Sequence, residues 1–155
     1  MVIQLHGFDP TPLSDGELVL QFVRCDDHPV HKVPTYYFRM THKETGEELG
    51  VINLRCSSIP HIERYAGHIG FAVHEPHRGY RYAARSITLL IAVSKQLQFE
   101  SIYITCDPEN IASRRSLELA GAEFLEIVDV PANCIIHKTG HPLKCRYRLD
   151  LGASS

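Results

Sequence analysis

The stretch from Gly67 to Cys106 restricts the fold more than any other part of the chain. It opens with Ile69-Gly70-Phe71-Ala72-Val73, where Ile69, Phe71 and Val73 face one side of a strand and Gly70 and Ala72 the other. A strand face so poor in side-chain bulk lets another group approach its backbone closely. A loop follows, His74-Glu75-Pro76-His77-Arg78-Gly79-Tyr80-Arg81-Tyr82, and then a helix from Ala83 to Leu97. Its inner positions Ala83, Ile87, Leu90, Ser94 and Leu97 recur at spacings of three and four, with Arg85, Thr88, Lys95 and Gln98 outside. Ile102-Tyr103-Ile104-Thr105-Cys106 reads as the next strand, so the unit is expected to be a right-handed parallel crossover. The helix start presents unpaired N–H groups and the positive end of a dipole. With Arg78 and Arg81 beside it, the loop suits a phosphate-bearing ligand; on its own it reads equally well as a basic surface turn.

The flanking segments complete one mixed α/β domain over residues 1–155. Residues 17–25 and 34–42 have the β-branched and aromatic content of strands, and Lys43-Glu44-Thr45-Gly46-Glu47 reads as a hairpin turn into a third strand at 49–54. Residues 57–67 read as a loop with room for one helical turn. A second helix is expected with Asp107 as N-cap, Pro108 in its first turn and Gly121 as its stop. A strand from Glu123 to Val130, a loop holding Pro131 and Pro142, and a last strand from Leu143 to Leu151 close the chain.

Composition narrows the function classes. A net charge of -2 provides no general basic field for nucleic acid or an anionic membrane. No apolar stretch approaches the ~20 residues of a membrane span, and the first residues, with Gln4, His6 and Asp9, lack the basic start and apolar core of a signal peptide. A cytoplasmic location is expected. Five scattered cysteines suit reduced thiols better than a disulfide framework. Cys134, His137, His141 and Cys145 offer donors of zinc-binding type, but without the usual paired spacing, so no metal is expected.

Two motifs carry a family resemblance. Arg78-Gly79-Tyr80-Arg81-Tyr82-Ala83 resembles the coenzyme A signature of the GNAT N-acetyltransferases: Gln or Arg, two variable residues, Gly, one variable residue, then Gly or Ala. Arg78 and Ala83 fit, whereas Arg81 stands where the central Gly is usual. Downstream, Asn110-Ile111-Ala112-Ser113 leading through Leu117 to Gly121 resembles the family's next motif. On a helix Asn110, Ser113 and Leu117 would share a stripe suited to a pantetheine arm; an ordinary capped helix is the plainer reading. The resemblance spans residues 48–150. It implies a GNAT-like, mostly antiparallel sheet with a central βαβ unit and helices on both faces, and acetyl-CoA as cosubstrate. It also implies a cofactor site of Phe71, Ala72, Val73, Arg78, Gly79, Tyr80, Arg81, Tyr82, Ala83, Asn110 and Ser113.

Many family members carry a Tyr, one residue before Glu-x-x-Gly, that protonates the departing thiolate. Leu117 occupies that place, and the motif style is closest to the Rim-type ribosomal-protein N-terminal acetyltransferases. That likeness makes Ser113 the candidate for stabilising the thiolate, with Ser116 as the weaker option. For the base, His68 opens the cofactor strand on the side of Gly70 and Ala72, and imidazole titrates near neutrality. Glu63 is its rival, and a partly deprotonated amine needs no strong base. The function implied is acetyl transfer from acetyl-CoA to a primary amine by direct attack, the acceptor being a small-molecule amine or a protein N-terminus. The alternative is a non-catalytic acyl-CoA-binding or interaction module. Specificity is expected in the loops 25–34, 57–67 and 131–142. A homodimer through the terminal strands is compatible with this layout.

Overall fold

The computed structural model of the protein describes residues 13–152; Gln4, His6 and Asp9 lie outside them. Five strands form one antiparallel sheet in chain order: β1 (Leu13–Ser14), β2 (Leu18–Asp27), β3 (Pro34–His42), β4 (Glu48–Arg55) and β5 (Ile69–Val73). The hairpin expected at residues 43–47 joins β3 to β4 and sets Tyr36 opposite Leu54 and Phe38 opposite Ile52. A second antiparallel sheet has the order β6 (Ser101–Cys106), β8 (Leu143–Asp150), β7 (Glu123–Asp129). Helix α1 (Tyr82–Gln96) connects β5 to β6, and α2 (Ile111–Leu119) connects β6 to β7. The segment read as a loop around Pro131 and Pro142 contains a short helix, α3 (Ile135–Lys138). Among the described residues no helix is long and apolar enough to cross a membrane.

Patterning explains the core. Strand β8 buries every second residue, Cys145, Tyr147 and Leu149, and β6 does the same with Ile102, Ile104 and Cys106. Helix α1 buries Ala83, Ile87, Leu90 and Ser94 at the spacing read from the sequence, and the Ser94 hydroxyl is satisfied by the Leu90 carbonyl at 2.9 Å. Each fully buried Leu or Ile contributes about 1.5–3 kcal/mol.

The strand–helix–strand unit is present, but its two strands belong to different sheets. They meet where the His68 N–H donates to the Tyr103 carbonyl at 2.6 Å. Gly67 permits this approach: its φ is +78°, and a Cβ there would stand 2.9 Å from the Thr105 nitrogen. No ladder joins β5 to β6. A cavity of about 260 Å³ lies between Ile69, Gly70 and Phe71 on one side and Thr105, Cys106 and Asp107 on the other.

The start of α2 differs from the sequence reading. Asp107 closes a turn, its carbonyl accepting the Asn110 N–H at 3.0 Å, and Asn110 is the N-cap, its side chain accepting the Ser113 N–H at 3.1 Å. The Asp107 carboxylate is held instead by Lys144 and His141, outside the reach of any local pattern. Leu117 leaves the expected stripe for the core, where it is fully buried.

Candidate active site

A groove of about 390 Å³ runs between β5, the start of α1 and the start of α2. Every residue expected to contact the cofactor lines it except Tyr80, which is exposed and stacks on Tyr82 with ring centroids 5.6 Å apart. Strand β5 is the edge of its sheet, paired only to β4. The His74 N–H donates to Leu49 on that side at 2.9 Å, so alternation turns the N–H groups of Phe71 and Val73 toward the open edge.

Arg81 precedes the first turn of α1 with φ +62° and ψ +26°, the left-handed conformation that favours glycine, and makes no side-chain cap. This explains why a glycine is usual there. Arg78 folds back to donate through Nε to the Val73 carbonyl at 3.1 Å. The helix start is anchored by Arg85, which reaches Asp15 at 2.7 Å and Glu17 at 3.0 Å. The Arg85 hydrogen bond outweighs burial and lowers the Asp15 pKa to about 2.

Ser113 lines both the groove and the cavity between β5 and β6. The Ser116 hydroxyl is spent on the Ala112 carbonyl at 3.0 Å. Beyond the cavity lies a chamber of about 600 Å³, built from the three loops expected to carry specificity together with β4 and β8. Arg55, Ala66, His141 and Lys144 line both spaces, so the cavity lies between groove and chamber.

His28 and His31 line one wall of the chamber, with His61 and Cys134 in contact behind His31. His31 Nδ1 lies 2.8 Å from His61 Nε2, and His61 Nδ1 lies 3.7 Å from Cys134 Sγ. His61 thus uses opposite ring nitrogens, and the three groups form a line instead of converging on a point. Burial, helped by the charge of Arg55, pushes His31 down to about 3. On the other wall His141 Nδ1 lies 2.7 Å from Asp107 Oδ2, and Lys144 Nζ lies 3.1 Å from Asp107 Oδ1. Burial works to raise the Asp107 pKa, but Lys144 and His141 outweigh it and hold the carboxyl below its ordinary range. Cys134, His137, His141 and Cys145 do not gather: Cys145 is buried opposite Cys106, and Cys134 and His141 have the partners just named. Among the described residues no three His, Cys, Asp or Glu side chains are placed to hold one metal ion.

Residues 4–123 match the family model described as an acetyltransferase (GNAT) domain. The chain belongs to the GNAT acetyltransferase family. No curated protein matches its sequence. Among solved structures it is similar to a GNAT-family acetyltransferase from Bacillus anthracis, with 21% identity, TM-score 0.60 and coverage of 74% of this chain and 66% of that one. Mycobacterium smegmatis RimJ in complex with CoA-disulfide gives 17%, 0.58, 75% and 53%. Ribosomal-protein-S5-alanine acetyltransferase from Vibrio fischeri gives 15%, 0.61, 78% and 64%. The chain therefore spans about half to two thirds of these three proteins.

The two base candidates line neither the groove, the cavity nor the chamber. His68 is fully buried: its Nδ1 accepts the Tyr103 N–H at 2.9 Å, its Nε2 lies 3.3 Å from Ser58 Oγ, and its ring packs edge-on against Phe99. It lines neither groove, cavity nor chamber, and burial, then Arg55, pushes its pKa down to about 4. The bulk-free face of β5 has another use, because the Arg55 guanidinium lies over Gly70, where a Cβ would stand 2.5 Å from Nη2. Glu63 sits on a π-helical turn (His61–Ala66), its carbonyl accepting Arg146 Nε at 3.2 Å, and also lines none of the three spaces. Cys106 borders the cavity, but burial raises its thiol to about 12, which disfavours a thiolate nucleophile. The His141–Asp107 pair escaped the sequence reading, where His141 figured only as a metal donor and Asp107 as a cap.

Proposed function

We propose that the protein transfers an acetyl group from acetyl-CoA to a primary amine by direct attack, the coenzyme lying in the groove and the amine arriving from the chamber. The observation that carries this reading is the position of Ser113, on the cavity between the two, with the open edge of β5 alongside. Arg78, Arg81 and the first N–H groups of α1 would hold the diphosphate, and the edge of β5 the pantetheine amides. Acetyl-CoA supplies an activated thioester. The N–H of Phe71 or Val73 on the open edge of β5 would donate to the carbonyl oxygen as it gains charge. His141, with Nδ1–H donated to Asp107, keeps the Nε2 lone pair to take the amine proton directly or through water. As the C–N bond forms and the C–S bond breaks, the Ser113 hydroxyl donates to the leaving sulfur. The acceptor is a small-molecule amine or a protein N-terminus, the latter supported by the S5-alanine acetyltransferase among the structural neighbours.

The test is thiol release from acetyl-CoA across a panel of amines. Turnover is expected with at least one amine, and H141Q is expected to lower kcat by about 100-fold while leaving coenzyme affinity unchanged. Leu117 in place of the usual acid favours a second reading, a binding module. Tight acetyl-CoA binding without thiol release from any amine would leave only that module.

A further inference from the structure

The cation at the junction of cavity and chamber has no counter-charge among the described residues. Arg55 ends β4 and is only 9% exposed. Its Nη1 donates to the Ala66 and Gly67 carbonyls at 2.8 and 3.0 Å. Its Nε is buried and has no partner, and among the described residues no carboxylate pairs with it. The acid that lines the cavity with it, Asp107, is committed to Lys144 and His141. A guanidinium taken out of water with one nitrogen satisfied is costly, and breaking or omitting its partner leaves that cost standing. Burial pushes Arg55 down to about 10, and its charge contributes to lowering His28, His31, His61 and His68. Burial remains the larger cause for each of these histidines, with the Arg55 charge second.

The surroundings repeat the pattern. Tyr37 lies opposite Asn53, and Asn53 opposite Gly70, in a row across β3, β4 and β5. The Tyr37 hydroxyl and Asn53 Oδ1 are buried without partners, beside the Arg55 guanidinium that covers Gly70. Unpartnered polar groups thus gather on the sheet face that carries Arg55. Val30, Tyr65, Ile135 and Ile136 give the rest of the chamber an apolar lining.

We propose that the acceptor carries a carboxylate close to its amine, and that Arg55 receives that carboxylate while the amine enters the cavity toward Ser113. This rests on the reading of groove and chamber as donor and acceptor sides of one transfer site. A charge-assisted contact to the Arg55 guanidinium supplies the missing counter-charge and fixes the amine beside the thioester. Two sources offer the same chemistry: a free α-amino acid, its apolar side chain against Ile135 and Ile136, or a peptide N-terminus with an acidic first residue.

The experiment compares kcat/KM for matched acceptors with acetyl-CoA. L-leucine is set against L-leucinamide and 3-methylbutylamine, and Asp-Ala-Ala-amide against Asn-Ala-Ala-amide. The carboxylate-bearing member of one pair is expected to lead by about tenfold or more. R55M is expected to abolish that preference and R55K to restore part of it, with acetyl-CoA binding retained in both. In parallel, calorimetry with coenzyme A present compares N-acetyl-L-leucine with N-acetyl-L-leucinamide, and N-acetyl-Asp-Ala-Ala-amide with its Asn counterpart, which needs no turnover. Equal values within both substrate pairs and both product pairs would overturn the proposal, as would a preference that survives in R55M. Absence of acetyl-CoA binding would instead overturn the reading of the groove.

Discussion

Arg81 shows what one residue can hold in tension. Its φ of +62° is a conformation in which an L side chain is strained by about 1–2 kcal/mol, yet it keeps a guanidinium at the mouth of the groove. R81G should relieve the backbone and R81A should not, so R81G is expected to be about 1 kcal/mol the more stable in urea unfolding. Both should bind acetyl-CoA several-fold more weakly than the parent, because both lose the charge. Parent-like affinity in R81G would show that Arg81 does not touch the phosphates. Residues of this kind were legible in the sequence because their motif is local. Asp107 and His68 were not: the carboxylate of Asp107 is claimed by groups 34 and 37 positions away, and the ring of His68 by a backbone N–H 35 positions away.

Among elements, the junction of the two sheets depends on that buried imidazole. Strand β5 reaches β6 through the His68 N–H, and the Tyr103 N–H returns to His68 Nδ1. The ring is held neutral, its pKa near 4 against an ordinary 6.5. Between these values the unfolded chain binds a proton that the folded chain refuses, so stability is highest above pH 6.5 and falls as pH drops toward 4. The full effect of His68 is on the order of 3 kcal/mol. His31, pushed to about 3, acts in the same direction. The urea midpoint is expected to fall clearly between pH 7.5 and 5.0, and less so in H68N, whose amide oxygen can accept the Tyr103 N–H without titrating. A midpoint indifferent to pH in the parent protein would contradict this. Strand and helix periodicities placed nearly every element correctly, but they carry no information on whether β5 and β6 pair or part. That outcome turns on Gly67, whose missing Cβ lets the chains touch once.

Across the molecule, three loops distant in sequence line one chamber, and the gap between the sheets lies between it and a groove on the far side of Ser113. The lining of the groove was readable in advance because its residues fall in two short runs. The chamber draws on the loops 25–34, 57–67 and 131–142 singled out in the sequence, but Arg55 and Lys144 come from strands and meet them only through the fold. Acetyl transfer requires both sides at once: a coenzyme along β5 and an acceptor reaching its thioester through the gap. Amide-resolved hydrogen exchange with and without acetyl-CoA tests the first half directly. The account predicts slowed exchange at the open-edge amides of Phe71 and Val73 and at residues 79–84, with β2 and β3 unchanged. Slowing confined to other segments, or none at saturating acetyl-CoA, would contradict it.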